Sequence, residues 1–104
     1  MRQNVITVTK AMLNTPPFIK RSFTVALMIT NNSSFVIKNL LLTDNICKCI
    51  HKNGYRFDNK TAVMFYKGKK YFLEATAYKN KITLKGISIP PRESVFIFYS
   101  LVFT

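Results

Sequence analysis

From Phe23 to Thr30 the chain alternates without a break. Phe23, Val25, Leu27 and Ile29 fall on one side, and Thr24, Ala26, Met28 and Thr30 on the other. A two-residue period is that of a half-buried β-strand, whose successive side chains point to opposite faces. Asn31-Asn32-Ser33-Ser34 then reads as a turn, because Asn tolerates a left-handed backbone and Asn and Ser bond to their own main chain. Phe35 to Thr43 resumes as a second strand and stops at Asp44. The whole stretch is therefore expected to be a β-hairpin or a corner between two sheets.

The same reading finds the other strands. Asn4 to Lys10 precedes a break at Pro16-Pro17, where no ladder hydrogen bond can be donated. Thr61 to Tyr66 and Tyr71 to Tyr78 flank Lys67-Gly68-Lys69-Lys70, a hairpin with Gly in its turn. Lys81 to Ile89 carries Gly86 inside it, a signal for a bulge. Pro90-Pro91-Arg92-Glu93 makes a turn before the last strand, Ser94 to Phe103. Asn45 to Lys60 reads as a loop with a short strand or turn, since Asn53-Gly54 interrupts its four-residue spacing of bases. About seven short strands with no alternating helices predict an all-β fold, an immunoglobulin-like antiparallel β-sandwich. At 104 residues it is expected to form a single domain, residues 1–104.

Composition adds a lopsided charge. Sixteen Lys and Arg stand against Asp44, Asp58, Glu74 and Glu93, a net +12. Such a chain favours polyanions such as nucleic acid or an anionic wall polymer. Ten of the bases lie between Lys48 and Lys85 among aromatic residues, and Lys67, Lys69 and Lys70 are the candidate polyanion contacts. Their use requires that they share a face with exposed Tyr or Phe. The bland alternative is a Lys/Asn/Ile bias spread over any solvated surface. The longest apolar run, Val95 to Tyr99, is too short for a membrane span, and Met1 to Val8 is too polar for an export signal.

Catalytic chemistry has little to work with. One His and four scattered acids offer no acid–base pair at a recognisable spacing, and no phosphate loop or nucleophile motif is present. No enzyme activity, cofactor or small-molecule substrate is expected. Cys47, Cys49 and His51 would share one face of a strand, but a zinc site wants a fourth ligand and wider cysteine spacing. They are weak metal candidates, and two reduced thiols are the plainer expectation. The last strand is more informative. Val95, Ile97, Tyr99, Leu101 and Phe103 form one face, while Phe96, Phe98 and Val102 make the other apolar as well. An outer sandwich face is normally polar. Either loops cover Phe96, Phe98 and Val102, or these residues contact another protein.

Taken in order, "FTVALMITNNSSFVIKNLLLTD", "AVMFYKGKKY" and "ITLKGISIPPRESVFIFYSLVF" resemble the bacterial conserved-repeat domain, an immunoglobulin-like family of unknown function that is number eleven in its series. The match runs over residues 5 to 103. Lys67 stands where that family has Asn, and Arg92 where its turn has Gly, so a different turn type or some strain is expected there. The resemblance implies a non-enzymatic spacer or adhesive module of a cell-surface or extracellular protein, meeting a second copy or a neighbouring repeat. The absence of an export signal leaves a cytoplasmic location open. Asp44 is expected to cap the turn after its strand. The related possibility of a Lys–Asn isopeptide bond would use Lys10, Asn31 and Asp44.

Overall fold

The computed structural model describes residues 5–13, 22–45, 55–78 and 81–103. The described residues form eight strands and no helix: β1 (Ile6–Leu13), β2 (Ser22–Asn31), β3 (Ile37–Asn45), β4 (Tyr55–Tyr66), β5 (Lys69–Phe72), β6 (Glu74–Tyr78), β7 (Lys81–Ile89) and β8 (Ser94–Phe103). They make two antiparallel sheets, one of five strands in the order β1-β2-β8-β4-β5 and one of three in the order β3-β7-β6. The sheets pack face to face as a sandwich. Their inner faces meet in a core of Val25, Leu27 and Ile29 from β2, Val95, Ile97, Tyr99 and Leu101 from β8, and Ile82, Leu84, Ile87 and Ile89 from β7. Burying each such aliphatic side chain favours folding by about 1.5–3 kcal/mol before chain entropy is counted.

The all-β sandwich is the expected one, with eight strands in place of about seven. The extra strand comes from Tyr71 to Tyr78, read as one strand and found as two. β5 pairs with β4 in the five-stranded sheet, whereas β6 pairs with β7 in the other. The switch falls at Leu73, whose side chain is buried and whose N–H donates to the Ala62 carbonyl at 3.0 Å. A continuous β pattern cannot reveal a change of partner at one residue. β4 also begins earlier than expected: Tyr55 to Asp58, within a segment read as a loop with a short strand or turn, pairs with β8, and an irregularity between Asp58 and Val63 explains the broken pattern. Asn31 to Val36 is a corner and not a hairpin, since β2 and β3 lie in different sheets.

Two turns and a bulge behave as their sequences foretell. Lys67 and Gly68 both have positive φ, 48° and 78°, as a two-residue hairpin turn of the primed type needs, and Tyr66 pairs with Lys69 across it. Arg92 holds φ 62° at the third position of the Pro90 to Glu93 turn, where Gly would be unstrained. Gly86, at φ 79°, is the extra residue of a bulge: Leu40 pairs with Ile87 but Leu42 with Leu84. A second bulge lies nearby, at Asn39 (φ 55°), with the extra residue on β3. One insertion on each strand restores the register, so the inward faces of β3 and β7 stay aligned.

Candidate interaction face

The faces follow from the register. On β8, Val95, Ile97, Tyr99 and Leu101 are fully buried, so Phe96, Phe98 and Ser100 point outward. Cα partners in an antiparallel pair point the same way. Met28, Phe96, Phe65 and Lys70 therefore lie in one row across the sheet, with Thr9 on β1 at its far end. The next row runs Ala11, Ala26, Phe98, Val63 and Phe72. Phe65 meets Phe98 edge to face at 5.7 Å between centroids. Two hydroxyl pairs bracket these rows on neighbouring strands, Thr30 with Ser94 at 2.7 Å and Thr24 with Ser100 at 3.0 Å. Phe96 is 48% exposed and Phe72 73% exposed, so among the described residues none covers the face over them.

Of the expected contact residues, Phe96 and Phe98 are thus brought together with four apolar side chains that the sequence reading did not connect to them. Val102 continues β8 opposite Ser22 and Arg56, and its side chain lies outside the described ones. Phe65, Phe72 and Met28 were missed because their common face depends on the strand order β2-β8-β4-β5, which no local pattern encodes.

The outer face of the three-stranded sheet is different in kind. Thr43, Thr83 and Thr76 form one row, and Asn45, Lys81 and Tyr78 another. Lys85 lies opposite Glu74. Tyr78 and Leu41 supply the large side chains there, and both are exposed.

The lysines of the β4–β5 hairpin do not share a face. Lys70 stands on the apolar face with its amine 5.1 Å from the Phe72 ring centre. Lys69 pairs with Tyr66 on the opposite side of the strand. Lys67, in the turn, is bonded at 3.3 Å to Glu93 and lies 5.4 Å from the Tyr66 ring centre. The Tyr66 hydroxyl also donates to Glu93. That hydrogen bond is the main cause of a Glu93 titration below, and a Tyr66 titration above, the ordinary value; Tyr66 and Glu93 together raise that of Lys67.

Asp44 repeats this arrangement with more burial. It points inward from β3, beside Ile82, and its carboxylate takes the hydroxyl of the fully buried Tyr99 and the amine of Lys10 at 3.0 Å. Lys10 also donates to the Asn45 carbonyl at 3.1 Å. The turn that Asp44 was expected to cap lies outside the described residues; its two oxygens tie β1 and β8 of one sheet to β3 of the other. The isopeptide pairing does not form a site. Lys10 lies opposite Leu27 and Asn31 opposite Ile6, four residues further along β2, or about 13 Å.

Asn31 has another task. It is fully buried, and its amide nitrogen lies within bonding distance of the carbonyls of Phe35 (2.7 Å), Ile89 (3.0 Å) and Pro90 (3.1 Å). Its oxygen accepts from the N–H and hydroxyl of Ser33 at 2.9 and 2.7 Å. The corner between sheets is thereby fastened to the end of β7. A cavity of about 400 Å³ opens near that end, lined by Val36, Met64, Tyr66, Tyr71, Leu73 and Pro90 among others.

Cys47, Cys49 and His51 lie outside the described residues. Among the described residues no cluster of potential metal ligands occurs, and no helix is long and apolar enough to cross a membrane. No protein-family model matches the chain, and no curated protein matches it.

Proposed function

We propose that this chain is a non-enzymatic interaction module that makes protein–protein contacts through the outer face of its five-stranded sheet. One observation carries the reading: Phe65, Phe72, Phe96 and Phe98, with Met28, form an apolar surface around the buried Val63 on a side that a sandwich normally leaves polar. The resemblance to conserved-repeat domains extends it to a spacer or adhesive module of a bacterial cell-surface protein. Absence of catalysis is supported by the fate of the acids. Asp44 and Glu93, two of only four carboxylates, are committed to lysine and tyrosine partners.

A photo-crosslinking residue at position 96, in cells that make the protein, is expected to give a discrete protein adduct. The same residue at position 83, on the opposite outer face, is expected to give none. Equal labelling from both positions, or none from position 96, would overturn the reading.

A second reading, polyanion binding, is favoured by Lys81 and Lys85 on the polar outer face, with the exposed Tyr78 beside Lys81. It predicts retention on heparin that falls steeply with salt and is lost in the Lys81→Gln/Lys85→Gln variant. Weak retention supports the protein-contact module instead.

A further inference from the structure

The apolar face is lopsided about its central strand. β8 is third of five, with β2 and β1 on one side and β4 and β5 on the other. On the β1–β2 side the outward residues of the two rows are Thr9, Met28, Ala11 and Ala26. On the β4–β5 side they are Phe65, Lys70, Val63 and Phe72. Three of the first four are small, and three of the second four are large and apolar.

A half-turn about an axis parallel to β8 lays each side over the other. It brings Phe72 over Ala11, Val63 over Ala26 and Phe65 over Met28, while Phe96 and Phe98 meet their own counterparts. Lys70 comes over Thr9, not over another cation. We infer that the partner of this face is a second copy of the same chain, bound face to face about a twofold axis running along β8. This rests on the protein-contact reading above and names its partner.

Area and charge are both consistent with the pairing. Five strands about 4.8 Å apart, of 8, 10, 10, 12 and 4 residues, cover about 700 Å², close to the roughly 800 Å² each partner gives to a standard stable interface. The chain carries +12, so two copies repel at long range. The paired rows place one cation, Lys70, on each face, at its rim and opposite a hydroxyl. Pairing is therefore expected to strengthen with added salt, the reverse of polyanion binding.

The test uses size exchange at two exposed positions that leave the core untouched. Sedimentation equilibrium of the purified chain is expected to show a species of twice 12.0 kDa at high concentration. Phe72→Ala removes a large side chain from the contact, and Ala11→Phe places two large ones against each other. Each is expected to weaken pairing by at least about tenfold. The double variant Ala11→Phe/Phe72→Ala restores large against small and is expected to return within about threefold of the parent.

A chain that stays monomeric at all concentrations overturns the self-pairing, as does a double variant no better than the worse single one. If the monomer nevertheless labels another protein from position 96, only the identity of the partner has failed. If a dimer forms but neither single variant weakens it, the apolar face is not its contact and the self-pairing fails, while the protein-contact reading stands or falls with the label from position 96.

Discussion

The two outer faces of this sandwich are made by the same chain under the same compositional bias, and they differ. One presents Thr43, Thr76, Thr83, Lys81 and Lys85; the other presents Phe65, Phe72, Phe96, Phe98 and Met28. A genome-wide drift toward Lys, Asn and Ile would act on both sheets alike. It accounts for the lysines of the polar face and for much of the +12 charge. It does not account for four phenylalanines gathered on one face from the β4–β5 hairpin and from β8. Cross-strand pairs such as Phe65 with Phe98 add only about 0.2–1 kcal/mol each to a sheet exposed to water on one side. The asymmetry is therefore what the proposed protein contact rests on, and the charge is the weaker ground for a proposal.

The contrast holds only while the two sheets stay fixed to each other, and the largest expected effect comes from breaking that. Asn31→Asp would replace two amide donors by acceptors beside three carbonyl oxygens in a fully buried corner. An unpaired buried charge of this kind costs about 3–5 kcal/mol, a large share of the 5–15 kcal/mol available to a domain. Urea denaturation should show a much lower midpoint, or no folded baseline. A shift under 1 kcal/mol would mean that the corner is not fastened through Asn31.

The second tie is weaker. Tyr99→Phe keeps the buried ring, including its edge-to-face contact with Phe57 at 5.7 Å, and removes the hydroxyl that reaches Asp44. A hydrogen bond to a charged group contributes about 1.5–3 kcal/mol, and Lys10 remains to serve the carboxylate. The expected loss of stability is about 1.5 kcal/mol, read from the urea midpoint at unchanged slope. Because Lys10 and Asp44 are partly open to water, Lys10→Met should cost less, under about 1 kcal/mol.

How much of this was legible in the sequence depends on how local each feature is. The alternation of β2 and β8, the Lys67-Gly68 turn, the Gly86 bulge and the strained Arg92 are set by residues within a few positions of one another, and each was readable. The switch at Leu73 was not, because β5 and β6 share one pattern and differ only in their partners. The tasks of Asp44 and Asn31 were not legible either. Asp44 was seen as a turn cap because its partners Lys10 and Tyr99 lie 34 and 55 residues away. The apolar face was half legible: Phe96 and Phe98 betray themselves on a two-sided apolar strand, while Phe65, Phe72 and Met28 join them only through the order of strands.

A smaller effect on stability would sharpen the contrast directly. Phe96→Thr makes one row of the apolar face resemble the polar one. Phe96 is 48% exposed, so stability should change by no more than about 0.5 kcal/mol. Retention on a phenyl matrix should fall clearly. Thr83→Ser on the other sheet should alter neither. Equal retention of the two variants would show that the two faces do not differ in the way their residues suggest.

The smallest effect is electrostatic and separates the two carboxylate ties. Glu93 carries a titration lowered from the ordinary 4.5, first by the Tyr66 hydroxyl and then by Lys67. A lowered carboxyl contributes stability that is present above its unfolded value and is lost as pH falls through the folded one. The window therefore lies below about pH 4.5, and nothing changes between neutrality and pH 5 on this account. Because Glu93 and Lys67 stand in water, salt should screen their part of the effect. Carbon-detected NMR of the Glu93 carboxyl should give a midpoint below the ordinary 4.5, and Tyr66→Phe should move it back up toward that value. If the Glu93 midpoint stays low without the Tyr66 hydroxyl, Lys67 alone holds it, and the likeness between the two ties ends at their residue types.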